Sequence, residues 1–228
     1  MMNPGLLKEI IRWDVKSWSR ALDFWEENVD WTKVEKGLEL GGHEGGLSLW
    51  LALKGKQALC SDLKDVRKTA EKLHVKHQVT AFVSYEDIDA SAIPYENHFD
   101  VIVFKSIIGG IGRGDNFEIQ KKVFKQIYKA LKPGGKLLFA ENLVGSPLHQ
   151  KLRKRYVDWG STWRYLTVDE LKECLSDFSN YEIKTTGFLG TLGRSEGQRN
   201  FLATADKLFW NHVSPANWKY IAYGVAQK

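Results

Sequence analysis

The order of apolar and polar positions divides the chain into three stretches. Within residues 6–28, the positions Ile10, Trp13, Ser17, Arg20, Ala21, Phe24 and Trp25 recur at near-helical intervals, which predicts one amphipathic opening helix. From there to residue 141, short apolar runs alternate with longer helical patterns. Gly37–Leu40, Gln57–Ser61, Gln78–Val83, Phe99–Phe104 and Lys136–Ala140 read as buried strands, and Leu47–Leu53, Leu63–Leu73 and Phe117–Leu131 as helices between them. That alternation implies a parallel sheet with helices on both faces. Beyond 141 the rhythm loosens into helices over Pro147–Trp159, Val168–Phe178 and Gln198–Trp210 and a strand over Tyr181–Gly187. A last alternating run, Trp218–Ala226, is placed to insert antiparallel beside its neighbour.

With 228 residues and 43% hydrophobic content, the chain can bury a full core as one domain with helical additions at its ends. No stretch approaches the roughly 18 consecutive apolar residues of a membrane span, and no basic region leads into an apolar run at the N-terminus, so the expected compartment is the cytoplasm. Cys60 and Cys174 cannot form a disulfide framework, which fits a reducing compartment, and no His/Cys/Asp/Glu group has metal-ligand spacing, so no metal is expected.

The net charge is +5, with Lys151, Arg153, Lys154 and Arg155 bunched together. Such a cluster attracts an anionic substrate or nucleic acid, or is simply a solvated helix face. The lack of an aromatic-interleaved RNA-binding signature favours the solvated face. Of nine tryptophans, Trp13, Trp18, Trp25 and Trp31 crowd the N-terminal segment and Trp159 and Trp163 sit together later, either lining a pocket or filling the core.

The segment Gly37-Leu38-Glu39-Leu40-Gly41-Gly42-His43-Glu44-Gly45-Gly46 joins the first predicted strand to the helix from Leu47. Glycines there permit a tight turn and let backbone N–H groups approach a ligand at a helix N-terminus, although a plain strand-to-helix reversal uses them too. No Gly-Lys-Ser/Thr ending follows, which argues against a triphosphate loop. Asp62 ends the second predicted strand 21 residues after Gly41. A carboxylate at that distance accepts both hydroxyls of a ribose, or caps the helix from Leu63.

Glu39-x-Gly41-x-His43-x-Gly45 resembles the first motif of the Rossmann-like (class I) S-adenosylmethionine-dependent methyltransferases, an acidic residue followed by three alternating glycines, with His43 in place of the middle one. Asp89-Ala90-Ser91-Ala92-Ile93-Pro94-Tyr95, followed by Phe99-Asp100-Val101-Ile102-Val103, is similar to the family's adenine contact and fourth strand. Ala130-Leu131-Lys132-Pro133-Gly134-Gly135-Lys136-Leu137-Leu138 looks like its turn into the fifth strand. The resemblance covers roughly residues 36–141. It implies an α/β fold whose mostly parallel seven-stranded sheet has helices on both faces and an antiparallel last strand. Residues 1–35 then form a helical cap, 36–141 the cofactor-binding half and 142–228 the substrate-side half of a single domain.

The resemblance also implies S-adenosylmethionine as cofactor. Glu39 would lie near its methionine end, and Gly41, Gly42 and Gly45 would floor the site. Asp62, with Leu63 beside it, would hold the ribose, and Asp89 would address the adenine amine, with Ile88 and Ala90 near the ring. Ligands in open α/β sheets sit beyond the carboxyl ends of the strands, which places Lys105, Ser106 and Ile107 after the fourth strand, and Glu141 and Asn142 after the fifth, around the reacting centre. The side chain of His43 is expected to point away. A dinucleotide-dependent dehydrogenase would need Gly-x-Gly-x-x-Gly, whereas residues 41–46 give Gly-Gly-x-x-Gly-Gly.

Methyl transfer from a sulfonium is mostly a matter of positioning, but a hydroxyl acceptor needs a base, for which His149 and Glu141 are the candidates. Each has a plainer alternative: His149 meets surface groups at a helix start, and Glu141 pairs with a lysine or caps a turn. The run from Ile107 to Gly114 reads as a mobile glycine-rich loop or a flexible connection. Trp159, Trp163, Arg164 and Tyr165 suit an acceptor with a ring or sugar face and an anionic group, or else pack on the N-terminal helix. Arg194, Gln198 and Arg199 add anion contacts or lie idle at the surface. The expected acceptor is a small molecule, sugar-linked or lipid-linked metabolites included; an RNA methyltransferase and a non-catalytic binding scaffold are the alternatives. Acceptor atom and oligomeric state stay open.

Overall fold

The computed structural model describes residues 2–157 and 162–228. Its seven strands are β1 (Lys36–Leu40), β2 (Gln57–Asp62), β3 (Val83–Asp87), β4 (Phe99–Lys105), β5 (Leu131–Asn142), β6 (Asn180–Thr186) and β7 (Ile221–Gln227). They form one sheet in the order β3-β2-β1-β4-β5-β7-β6. The first five run parallel, and β7 lies antiparallel between β5 and β6. Strand order reverses between β1 and β4, which opens a crevice at their carboxyl ends, where ligands bind in open sheets of this kind.

Side chains alternate across β4: Val101 and Val103 face one core, Ile102 and Phe104 the other. The first core is covered by α1 (Pro4–Ile11), α2 (Val15–Asn28), α3 (Gly46–Leu53) and α4 (Val66–Lys76), and holds Trp18, Trp25 and Trp50. The second is covered by α6 (Phe117–Ala130) and α8 (Val168–Cys174). The short α5 (Ile108–Ile111) precedes α6, and α7 (Pro147–Tyr156) lies between α6 and α8; α9 (Glu196–Ala205) runs on into a π turn, Asp206–Trp210. Among the described residues, no helix is long and apolar enough to cross a membrane.

Two elements depart from the sequence pattern. The opening helix is broken, because Arg12 (φ +75°) and Asp14 (φ +46°) take left-handed conformations. The carboxylate of Glu196 accepts hydrogen bonds from Asp14 N–H at 3.1 Å and Val15 N–H at 2.8 Å, supplying at the start of α2 what a continuous helix would have supplied itself. The third strand also begins later than Gln78. Gln78 is left-handed, Thr80–Phe82 is a 3-10 turn, and β3 is an edge strand whose outer residues stay exposed. Its apolar signal is correspondingly faint.

Candidate functional site

The turn after β1 is held by groups the fold buries around it. Glu39 is 4% exposed, and its carboxylate accepts from Leu47 N–H at 3.0 Å and Ser48 N–H at 2.7 Å, at the N-terminus of α3. Burial pushes this carboxyl up to about 7. Ser61 Oγ donates to Glu39 O at 2.6 Å, and Gly42 N–H donates to Ser61 O at 2.7 Å. His74, missed in the sequence, hydrogen-bonds through Nε2 to Gly45 O at 2.9 Å and through Nδ1 to the Tyr85 hydroxyl at 2.8 Å. Gly45 has φ +75°, and a Cβ there would lie 2.5 Å from His74 Cε1. Glu39 is thus turned inward as a brace for the turn.

Asp62 ties the end of β2 to that turn. Its Oδ2 accepts from His43 N–H at 2.8 Å and its Oδ1 from Leu63 N–H at 2.7 Å. His43 takes φ +46° with its side chain exposed, so it occupies the middle glycine's place without filling the turn. The first N–H groups of α4 are met from β3 instead, where Asp87 accepts from Asp65 N–H at 2.8 Å and Val66 N–H at 3.0 Å. That removes the need for Asp62 as a helix cap. Ile88 N–H donates to Asp62 O at 2.8 Å, which brings Asp89 to the next strand end. Asp89 is exposed and accepts from Ser91 N–H at 2.8 Å, between buried Ile88 and Ala90. Two carboxylates with spare acceptor lone pairs, the exposed apolar Leu63 and the glycine turn lie on neighbouring strand ends, and this set of acceptors and apolar surface fits an adenosyl group.

Past the switch point, Glu141 is fully buried at the end of β5. Its Oε2 accepts from Ile107 N–H at 2.9 Å and Ile108 N–H at 2.8 Å, and its Oε1 from Asn142 N–H at 2.8 Å. Burial raises this carboxyl to about 7. Asn142 Nδ2 donates to Ser106 Oγ at 2.6 Å, and Ser106 takes φ +58°. Glu141 therefore clamps the segment after β4, with three backbone donors already on its two oxygens. Lys105 is half-buried, its Nζ 4.4 Å and 4.6 Å from the ring centroids of Trp13 and Trp18. Burial lowers its amine to about 7, opposed by the nearby charges of Glu141, Asp14 and Glu39.

The other expected catalytic residue meets protein on both sides of its ring. His149 is 1% exposed, with Nδ1 accepting from Ser146 N–H at 3.0 Å and Nε2 donating to Phe188 O at 2.6 Å. It belongs to the capping box that starts α7, which leaves neither ring nitrogen open to take a substrate proton. The glycine-rich run after β4 is likewise structural. Ile108–Ile111 is helical, and Gly109 and Gly110 let the Trp163 indole lie against the backbone, where Cβ atoms would come within 3.0 Å and 3.3 Å of the ring. Gly109 and Gly110 provide close packing, and Ile108–Ile111 is a helical turn where the sequence predicts a loop.

Trp159 lies outside the described residues. Trp163 and Tyr165 border a cavity of about 740 Å³ beside the end of β5, reached also by Val144. Arg164 is spent on the protein: it donates to Asp115 and Gln120 at 2.9 Å each, pairs with Glu170, and lies over Phe117. The cavity is also lined by the buried guanidinium of Arg153, which donates to Leu143 O at 2.6 Å and which helical charge spacing alone groups with solvated neighbours. Gln198 accepts from Arg194 N–H at 2.9 Å and Arg199 donates to Gly193 O at 3.1 Å, so this trio shapes the start of α9.

A family model described as a methyltransferase domain matches residues 38–139. A ubiquinone/menaquinone biosynthesis C-methyltransferase of Yersinia pestis is 33% identical over 137 residues, which cover 56% of this chain and 51% of the relative. The chain thus spans about half the length of the curated relatives it matches. Among solved structures, phosphoethanolamine N-methyltransferase 2 of Haemonchus contortus, in complex with phosphomonomethylethanolamine and S-adenosylhomocysteine, aligns with a TM-score of 0.65 at 21% identity, covering 92% of this chain and 52% of that one. The [4+2]-cyclase SpnF aligns at 0.61 and 16% identity, covering 92% and 80%. At such identities the likeness is one of fold, and the fold serves more than one chemistry.

Proposed function

We propose that this chain is a class I S-adenosylmethionine-dependent methyltransferase, the family its sequence and fold are similar to, and that it methylates a small-molecule acceptor held beyond the carboxyl ends of β4 and β5. The observation that carries this reading is the backbone linkage of the glycine turn, Asp62 and Asp89 across three adjacent strand ends. When bound, S-adenosylmethionine supplies a methyl group already activated by its sulfonium. The chain's own work is to bind and orient. Asp62 receives the ribose hydroxyls beside Leu63, and Asp89 the adenine amine between Ile88 and Ala90. The backbone of Gly41, Gly42 and Gly45 forms the floor, kept in shape by Glu39 and His74. Glu141 and Asn142 fix Lys105 and Ser106 at the mouth of the crevice, and the amine of Lys105 suits the cofactor's amino-acid carboxylate.

The names and contents of the relatives support a small acceptor: one is named for quinone biosynthesis and the other holds phosphomonomethylethanolamine. RNA methylation through α7 is less favoured, because Arg153 turns inward and leaves Lys151, Lys154 and Arg155 as the exposed basic residues of that helix. Two free buried thiols support the cytoplasm as the compartment. Radiolabelled methyl transfer into fractionated cell extract tests the proposal: label is expected in the metabolite pool, and incorporation into RNA alone would reject it.

A further inference from the structure

We propose that the cavity bordered by α7 and the Trp163–Tyr165 segment receives an oxyanion of the acceptor, a phosphate monoester or carboxylate, with Arg153 as its main ligand. The inference rests on the methyltransferase reading and adds the acceptor's chemical class. Arg153 is 7% exposed. Its Nη1 donates to Leu143 O at 2.6 Å and Val144 O at 3.2 Å, and its guanidinium lies 4.2 Å from the Tyr165 ring centroid. Those bonds fix the fork in place and leave Nε and Nη2 without a hydrogen-bond partner among the described residues. No carboxylate among the described residues forms an ion pair with it. A buried cation without an ion-pair partner is costly, and none is present for Arg153 among the described residues; a planar guanidinium is the side chain best matched to a carboxylate or phosphate.

The surroundings point the same way. Of the charged side chains lining the cavity among the described residues, Arg113, Arg153, Lys154 and Arg164 are basic and Asp115 alone is acidic. Asp115 is already paired with Arg164, so among the described lining residues the positive charge of Arg113 and Lys154 at the rim is not offset. Glu141 is near enough to be felt by Arg153, but its oxygens face backbone N–H groups. A volume of about 740 Å³ accommodates a metabolite-sized acceptor, and Tyr165 offers an aromatic edge to its apolar part. The anionic end would sit on Arg153 while the remainder extends past Val144 toward the end of β5. Arg153, rather than Arg164, is then the residue that selects the acceptor.

The test is calorimetry on the protein saturated with S-adenosylhomocysteine, titrated in turn with phenyl phosphate, benzoate, inorganic phosphate and phenol. Phenyl phosphate or benzoate is expected to bind at least tenfold more tightly than phenol, and the tighter of the two identifies the acceptor's anion. Arg153→Gln is expected to lose tenfold or more in that affinity while its affinity for S-adenosylhomocysteine stays within twofold. Because Arg153 also ties Leu143 and Val144, Arg153→Lys and Lys154→Gln serve as further variants; the first is expected to retain part of the affinity, the second to lose two- to threefold. Equal binding of phenol and the oxyanions, or unchanged oxyanion affinity in Arg153→Gln, overturns the proposal. If wild type fails to bind S-adenosylhomocysteine, the methyltransferase reading falls, and the oxyanion titrations are scored separately on the unliganded protein.

Discussion

Gly45 shows how little freedom the cofactor turn has. A side chain there would be left-handed and would press on the His74 ring, so Gly45→Ala is expected to cost about 1–3 kcal/mol of stability and to weaken S-adenosylmethionine binding. Thermal unfolding and calorimetry read the two effects. His149 makes the opposite case, an apparent catalytic residue whose ring holds a helix start. His149→Gln is expected to lower the melting temperature while the pH–rate profile of the folded enzyme keeps its shape; loss of one limb of that profile would restore His149 as a base. For Lys105 the discriminating measurement compares cofactor and product. Lys105→Met is expected to weaken S-adenosylmethionine and S-adenosylhomocysteine alike, since both carry the same amino-acid carboxylate, whereas a loss confined to turnover would assign it to proton transfer.

The segment joining β4 to α5 depends on one side chain from β5. In Glu141→Gln a single carbonyl oxygen replaces two acceptors, and the new amide group would face a backbone N–H, at a cost of about 1–3 kcal/mol. The pH dependence of stability has a defined sign. Glu39 and Glu141 hold protons more tightly in the fold, at about 7 against 4.5, so their contribution is full below about 4.5 and is lost as pH rises to about 7. Lys105 holds its proton less tightly, at about 7 against 10.5; its contribution is full above about 10.5 and is lost as pH falls to about 7. These groups together predict a shallow minimum in melting temperature near neutrality, with a flatter acid limb in Glu141→Gln. Element identity was legible in the sequence wherever a strand is buried on both faces, as in β1 and β4. It failed at β3, whose outward residues are polar, and at the break between α1 and α2, because the residue that permits it, Glu196, is 182 positions from Asp14.

Across the molecule, the proposed cofactor site is legible in the sequence because its contacts are local: a turn and two strand ends within residues 39–90. The acceptor half is not. The sequence singles out Arg164 and groups Arg153 with solvated neighbours, whereas the three-dimensional placement of Asp115, Gln120 and Glu170 satisfies Arg164, and Arg153 has no carboxylate partner among the described residues. Such pairing between distant segments carries no periodic signal. What is most exposed to refutation is the convergence of the glycine turn and Asp62 on one adenosyl group. Calorimetry with S-adenosylhomocysteine on wild type and Asp62→Ala measures it directly. The expected result is saturable binding to wild type and a loss of tenfold or more, about 1.4 kcal/mol, in a variant that stays folded because Asp87 caps α4. Equal affinity in the two proteins, or no binding to either, would contradict it.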